Sequence, residues 1–378
     1  MRDLVIVGGG PAGLSVAIGG HLAGLRTTVL DRSRPPTDKP CGEGLMPDGL
    51  AALERLGMAA ADLRGRRFGG IRYRQETPEG ATVASGRFPV DGGLGVRRTD
   101  LHRRLVERAE AVGVELRWGA SVEGIEPAGE GWRTIGQGAV AEGRILVGAD
   151  GLRSRVRRWA GLAGRPARAA RFGARRHFRL RPWSSFVEVW WAAGCEAYVT
   201  PVAEDEIGVA LLWGRRRAGE RVGFDDLLRC FPVLRQRLAG AAASSPLRGC
   251  GPLRQRVRSV RRGNLLLVGD AAGYVDAITG EGLSLAFQQA EALVAAVAAG
   301  ELSRYPVACR RLRRLPDAMT HLLLALARRP AWRRRAIKAL AAEPGLFDRL
   351  LAVHARQSGL GAVGLGGAAR LAWRFATV

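Results

Sequence analysis

Val5-Ile6-Val7-Gly8-Gly9-Gly10-Pro11-Ala12-Gly13, with Leu4 before it, is the stretch that decides the fold. Leu4–Val7 is short and wholly apolar, the pattern of a buried strand, and the glycines then turn the chain into a helix. In such a turn Gly8 allows the sharp bend. Gly10 lets backbone approach a pyrophosphate, and Gly13 lets helix and strand pack closely. Free N–H groups and the dipole at the helix start favour the phosphates of a dinucleotide. Asp31 closes the next apolar run, Thr27–Leu30, eighteen residues after Gly13. From there its carboxylate is placed to accept hydrogen bonds from an adenosine ribose. Strand, glycines, helix and distal acid together predict a dinucleotide-binding βαβ unit, against the alternative of a plain tight turn.

Two further stretches narrow the ligand. Leu265–Val268 is another short apolar strand, and it runs into Gly269-Asp270-Ala271-Ala272-Gly273 and then Thr279-Gly280-Glu281-Gly282-Leu283-Ser284. Gly280 and Gly282 open an Ala-rich helix reaching about Ala299. A helix start can hold the pyrimidine edge of an isoalloxazine, where negative charge collects on reduction. Asp270 can bond a ribityl hydroxyl. The third stretch, Val147–Arg157, contains Asp150-Gly151-Leu152-Arg153-Ser154-Arg155-Val156-Arg157.

These three segments, in this order, resemble the FAD-dependent aromatic hydroxylase (group A flavoprotein monooxygenase) superfamily and its geranylgeranyl reductase-like branch, over most of residues 1–300. The resemblance implies an α/β fold. A Rossmann-like FAD-binding domain of the glutathione reductase type is interleaved with an antiparallel β-sheet substrate domain, and C-terminal helices follow. It implies FAD as cofactor and NAD(P)H as a transient co-substrate, since no second Gly-x-Gly-x-x-Gly follows a strand. Its Asp-Gly-x-x-Ser-x-x-Arg motif matches Asp150, Gly151, Ser154 and Arg157. Either Asp150 lies near the FAD, or it caps the next helix. The arginine that neutralises FAD phosphates matches Arg98, with Arg97 adjacent. Lys39-Pro40-Cys41-Gly42 looks like the flavin-side segment of the reductase branch. There Cys41 faces the flavin or simply packs, and Glu43 is a candidate for positioning substrate or flavin.

The expected cofactor residues are Gly8, Gly10, Pro11, Ala12, Gly13, Asp31, Arg32, Cys41, Gly42, Arg98, Val122, Asp150, Gly151, Gly269, Asp270, Gly280, Gly282 and Leu283. Tyr198, Pro201 and Cys41 are the candidates for lining the substrate cavity. No catalytic acid or base is identified.

The resemblance leaves the reaction open. A monooxygenase acting on an aromatic or lipophilic compound of secondary metabolism is the leading expectation. Ala277 stands where the relatives carry proline before the flavin-edge glycines, which predicts a less rigid loop. Tyr198-Val199-Thr200-Pro201 departs from the reductases' aromatic-x-Trp-x-Phe-Pro and from the halogenases' Trp-x-Trp-x-Ile-Pro. Reduction of isoprenoid double bonds is therefore the alternative, and halogenation, with Lys39 as its special lysine, the third. Trp190, Trp191 and Trp213 serve sheet packing or a substrate platform.

Domain boundaries are expected at 1–75, 95–170 and 255–300 for the FAD domain, 76–94 and 171–254 for the substrate domain, and 301–378 for a helical region. Within the substrate domain, Phe186–Trp191, Tyr198–Val202 and Glu206–Trp213 read as strands, and Phe224–Leu238 as helical. The 378 residues suffice for two lobes and a large core.

Composition limits the class. No run of 18 apolar residues occurs and strand one begins at once, so neither a membrane span nor a secretion signal is expected. The five cysteines are scattered, with neither a disulfide framework nor metal spacing, which fits a reducing cytoplasm. No metal site is expected. The net charge is +24, yet only Lys39 and Lys338 are lysines among 59 basic residues. The arginines are spread along the chain without a nucleic-acid module, so nucleic acid is not the expected partner. A basic binding protein using FAD only structurally would show partner binding that survives flavin loss.

After residue 300, Arg310-Arg311-Leu312-Arg313-Arg314 and Trp332-Arg333-Arg334-Arg335 flank Leu322–Leu326. These read either as solvated helices with an apolar core face or as a basic surface for peripheral membrane contact and lipophilic substrate entry. Gly359–Val378, rich in Gly and Ala, is expected to be partly mobile.

Overall fold

The computed structural model describes residues 2–77, 80–167, 170–214 and 222–377. Pro78 and Glu79, inside the 76–94 stretch, lie outside the described residues, as do Arg168, Ala169 and the segment 215–221. The described helices are α1 Pro11–Leu22, α2 Pro47–Arg55, α3 Arg98–Ala111, α4 Arg155–Trp159, α5 Phe224–Leu228, α6 Pro232–Arg237, α7 Gly282–Ala298, α8 Arg304–Arg328, α9 Pro330–Ala342, α10 Pro344–His354 and α11 Gly364–Thr377.

The first sheet orders its parallel strands Leu265–Leu267, Ala141–Gly148, Arg2–Val7, Thr27–Asp31 and Glu115–Trp118. Val7 pairs with Gly148 and Leu30, and Gly148 with Leu267, so four strands end in line. The chain therefore leaves the sheet at Gly8, Asp31, Ala149 and Val268 along one edge, the carboxyl edge where open α/β sheets bind ligands. Leu4–Ile6 are wholly buried, as a strand covered on both faces requires. α1 and α7 pack together on one side of this sheet, and α1 also meets α3.

The second sheet runs Arg248–Cys250, Arg171–Arg179, Glu206–Gly214, Cys195–Pro201, Val187–Ala192, Gly70–Thr77, Gly80–Arg87. It begins at Gly70, earlier than the expected break at residue 76, and all its neighbours are antiparallel except Val187–Ala192 with Gly70–Thr77. Alternation divides its faces. Trp190, Ala197, Val199, Val209 and Leu211 cluster with Phe224, Leu227 and Leu234 of α5 and α6. Val189, Tyr198 and Leu212 join the cluster that contains Leu324, Ile337, Phe347 and Leu351 of the C-terminal helices. Register sets Tyr198 opposite both Ala210 and Val189.

Gly359–Val378, expected to be partly mobile, contains α11. Its Leu371 and Phe375 share one face and, with Val363 just before the helix, line the cavity described next. The Gly and Ala content had masked that face.

Candidate active site

A cavity of about 1210 Å³ begins at the carboxyl edge of the parallel sheet and ends under α9–α11. Its first end is backbone-rich. Gly8 has φ +113°, a conformation that favours glycine. A Cβ on Gly13 would lie 1.9 Å from the Gly8 carbonyl oxygen, so the first turn of α1 can sit against the loop only with glycine there. A Cβ on Gly10 would meet only Arg98 Nη2, at 3.7 Å, and that face of the loop is open to the cavity.

Polar groups converge on this end. Arg98 opens α3, is 7 % exposed, and its buried Nη1 has no hydrogen-bond partner. Arg97, its neighbour, is engaged elsewhere, donating Nη1 to both oxygens of Glu206 at 2.7 and 2.8 Å. The structure thus separates the two candidate arginines. Asp150 divides its two oxygens between the start of α4 and the cavity wall. Its Oδ2 accepts from the N–H groups of Arg155 and Val156 at the start of α4, while its buried Oδ1 is unpartnered on the cavity wall. Ser154 caps α4, and Arg157 is structural, donating to the carbonyls of Leu152, Asp270 and Ala271 and to Gln255.

Asp31 accepts from Gly9 N–H at 2.7 Å and Ser33 N–H at 2.8 Å. One acceptor site on each oxygen stays free for a diol. Burial raises the Asp270 carboxyl above its ordinary range, while Lys39, Arg98 and Arg157 draw it down.

Gly10, Pro11, Ala12, Arg32, Cys41, Gly42, Arg98, Asp150, Gly151, Gly269, Asp270, Gly280, Gly282 and Leu283 line the cavity, as does Tyr198. Gly8, Gly13 and Asp31 support the loop from behind. Val122 is buried in the core beneath the sheet edge, its carbonyl accepting from Arg155. Pro201 lies outside the cavity, its carbonyl against Gly95. Burial pushes the Cys41 thiol up, away from the thiolate, and its sulfur accepts Glu43 N–H at 3.3 Å while the residue lines the cavity.

The residues suit FAD. Two buried, unpartnered polar atoms of opposite character, on Arg98 and Asp150, face a glycine cradle at a helix N-terminus. Gly280, Gly282 and Leu283 bring the start of α7 to the same space.

Sequence reasoning missed several participants. His102, fully buried on α3, accepts Thr37 N–H at Nδ1 (2.8 Å) and so donates Nε2–H to the Gly9 carbonyl (2.7 Å). Its only signal was its place one turn after Arg98. His177 and Arg175 were missed as well: both join Glu43, the positioning candidate of the sequence, which at φ +59° accepts from Arg98 N–H and pairs with His177, while Arg175 bonds Asp38 in the same buried network. This network ties the Lys39–Leu45 loop to the substrate sheet. His354, from α10, reaches the cavity beside Thr279. Among the described residues no group of His, Cys, Asp and Glu could hold a metal ion.

The far end is apolar, with Ile71, Val189, Leu212, Leu323, Phe347 and Leu351 on its walls. Tyr198 crosses between the two ends, donating its hydroxyl to the Ile278 carbonyl at 2.7 Å. Burial holds that phenol well above pH 10, so it remains a donor.

A dinucleotide cradle on a parallel sheet, opening into an apolar chamber over an antiparallel one, is the two-lobed flavoprotein architecture. The FAD binding domain family matches residues 1–302, and the chain belongs to it; it is an FAD-dependent oxidoreductase. It is 29% identical over 306 residues to dialkyldecalin synthase of Streptomyces rugosporus, covering 77% of this chain and 64% of that protein. Menaquinone reductase of Mycobacterium tuberculosis is 29% identical over 302 residues, 74% of this chain and 72% of that one. 6-Methylpretetramide 4-monooxygenase of Streptomyces rimosus is 29% identical over 365 residues, 86% of this chain and 79% of that one. In structure, p-nitrophenol 4-monooxygenase of Pseudomonas putida superposes with a TM-score of 0.79 at 21% identity, over 93% of this chain and 96% of that one.

Proposed function

We propose that the protein is an NAD(P)H- and O₂-dependent monooxygenase that hydroxylates a lipophilic aromatic compound of secondary metabolism. The observation that carries this reading is the apolar chamber joined without a break to the flavin cradle. Supporting it, the likeness to 6-methylpretetramide 4-monooxygenase extends over 86% of the chain. FAD, when bound, supplies the acceptance of hydride and the activation of oxygen that no side chain can provide.

The chain's own residues do the rest. Arg98, Asp150 and the α1 loop hold the dinucleotide, and the start of α7 faces the flavin ring. Ile71, Val189, Leu212 and Phe347 exclude water around the substrate. Tyr198 fixes the flavin-edge loop through Ile278, which offsets the missing proline at Ala277.

The lipophilic substrate arrives through the C-terminal helices, which make peripheral membrane contact. Trp332 of α9 meets Phe375 of α11 at 6.3 Å over the cavity, and Trp373 is 69% exposed nearby. Residues 318–342 carry six basic and no acidic residues, which complements anionic lipid. No described helix is long and apolar enough to cross a membrane.

Oxygen uptake by the FAD-loaded protein with NADPH or NADH tests the reaction. Alkyl phenols and quinone precursors should stimulate uptake and yield hydroxylated product. Uptake unchanged by every compound, with anaerobic reduction of a prenyl substrate, would replace this reading with the reductase. Phosphatidylglycerol vesicles should sediment the protein, and phosphatidylcholine vesicles should not; equal recovery from both refutes the membrane contact.

A further inference from the structure

Glu281 is a buried acid that the proposed function leaves without a role. It is the N-cap residue of α7, 6 % exposed, between the two glycines that face the flavin end of the cavity. Its Oε1 lies 3.5 Å from His354 Nδ1, and its buried Oε2 has no hydrogen-bond partner. α7 offers it no compensating cation in its first turn.

Its surroundings differ on two sides. On one, His354 lines the main cavity together with Thr279, and its Nε2 is 3.3 Å from the Thr279 carbonyl. On the other, Asp48 and Arg356 line a separate open pocket of about 760 Å³ at the surface. Asp48 accepts from Gln288 Nε2 at 2.6 Å and lies 3.9 Å from Arg356 Nε. Asp317 of α8 and the Tyr73 phenol also act on Glu281, and the Thr279 side chain hydrogen-bonds to it. The family match ends at residue 302, so the histidine and arginine of this cluster come from the segment beyond it.

Two-electron reduction of a bound flavin draws at least one proton from solvent, and a route lined by side chains would deliver it at the flavin end of the cavity. We propose that Glu281 and His354 form a proton relay linking the surface pocket at Asp48 and Arg356 to the flavin end of the cavity. A solvent proton is taken up by the Glu281 carboxylate. The Glu281 O–H bond then breaks as an N–H bond forms at His354 Nδ1, and the ring releases its Nε2 proton into the cavity. The ring ends as the neutral Nδ1–H tautomer with Glu281 ionised; solvent reprotonates the carboxylate, and proton exchange with cavity water returns the ring to the Nε2–H tautomer, which restores the Nδ1 acceptor.

Protonation fits this role. Burial first, then the nearby Asp48 carboxylate, push Glu281 up to about 8, with Arg356 opposing. Burial lowers His354, so it passes a proton on and does not keep it. Glu281 is thus a standing donor at neutral pH that empties as the pH rises through about 8.

The relay rests on FAD binding, and its chemistry is common to the monooxygenase and reductase readings. The experiment is anaerobic photoreduction of the holoprotein in weak buffer with a pH-indicator dye, comparing wild type with Glu281→Gln and His354→Phe. Proton uptake in Glu281→Gln should slow by about a hundredfold, the low end for a positioned acid–base group. Flavin content should stay at the wild-type level. Wild-type uptake should slow across pH 7–9 as Glu281 empties, and Glu281→Gln should be flat there. An infrared carboxylic-acid band present at pH 7 should vanish in Glu281→Gln. Equal uptake rates in wild type and Glu281→Gln at every pH overturn the relay, and so does absence of the band. Because Gln keeps the size and shape of Glu, that variant carries the test even where His354→Phe loses flavin. Failed hydroxylation with these effects intact would remove the monooxygenase reading alone.

Discussion

At the parallel sheet the cavity wall is largely backbone, through Gly10, Gly151, Gly269 and the start of α7. At the antiparallel sheet and the C-terminal helices it is side chain, through Ile71, Val189, Tyr198, Leu212 and Phe347. A wall of backbone fixes one ligand shape, because a pyrophosphate must be approached where a Cβ would intrude. A wall of side chains is adjustable, since exchanging one apolar residue for another reshapes it at small cost in stability. Related proteins with one cradle and several chemistries are what this contrast produces.

Gly13→Leu should break the comparison most severely. Its Cβ would fall 1.9 Å from the Gly8 carbonyl, so loop and helix must part, at a cost of about 3 kcal/mol or more. Little soluble holoprotein should be recovered, judged by yield and by the flavin-to-protein absorbance ratio. Normal yield and full flavin would show that the close contact is dispensable.

Ala210→Trp and Arg98→Ala sharpen the same contrast in opposite directions. Ala210 faces the apolar chamber opposite Tyr198, and an indole there fills it. That variant should keep its flavin and lose substrate-stimulated kcat/KM by about a hundredfold, about 2.7 kcal/mol. Arg98→Ala should weaken FAD binding by about 10–150-fold, the worth of a charged hydrogen bond of about 1.5–3 kcal/mol. Titration calorimetry of the apoprotein would check it, and undiminished affinity would return Arg98 to a structural role.

The smallest effect is a pH dependence at the cradle end. Burial lowers His102 from its ordinary value of 6.5, although the Gly9 carbonyl opposes this. The unfolded chain therefore binds a proton that the folded one resists, so stability falls as pH drops below about 6.5. His102→Gln should flatten that part of the stability–pH curve in thermal melts; an unchanged slope would assign it to another group.

The same contrast explains what could be read from the sequence. The βα turn at Gly8–Gly13, the strand Leu265–Val268 and α7 were legible because glycines with a required geometry follow short apolar runs. Asp150 could be read only as a choice; in the fold one oxygen serves the start of α4 and the other is left unpartnered on the cavity wall. Pro201 was misjudged for a simple reason. Residues two apart share a strand face, but Tyr198 and Pro201 are three apart and point to opposite faces. His102, Arg175, His177 and His354 gave no local signal. Their long-range partners Thr37, Asp38 and Glu43 stand 65 to 137 residues away in the case of the first three, so only the folded chain brings them together.

The parallel sheet has a consequence for how this protein is made. Its central strand, Arg2–Val7, and Leu265–Leu267, which completes the carboxyl edge, leave the ribosome some 260 residues apart. At ordinary elongation rates that interval is on the order of 10–50 s. During it the nascent chain carries a glycine loop with no Asp270 and no α7 to finish the cradle. Flavin loading is therefore a late event of biosynthesis, and a cell short of FAD would accumulate full-length chains rather than stalled fragments.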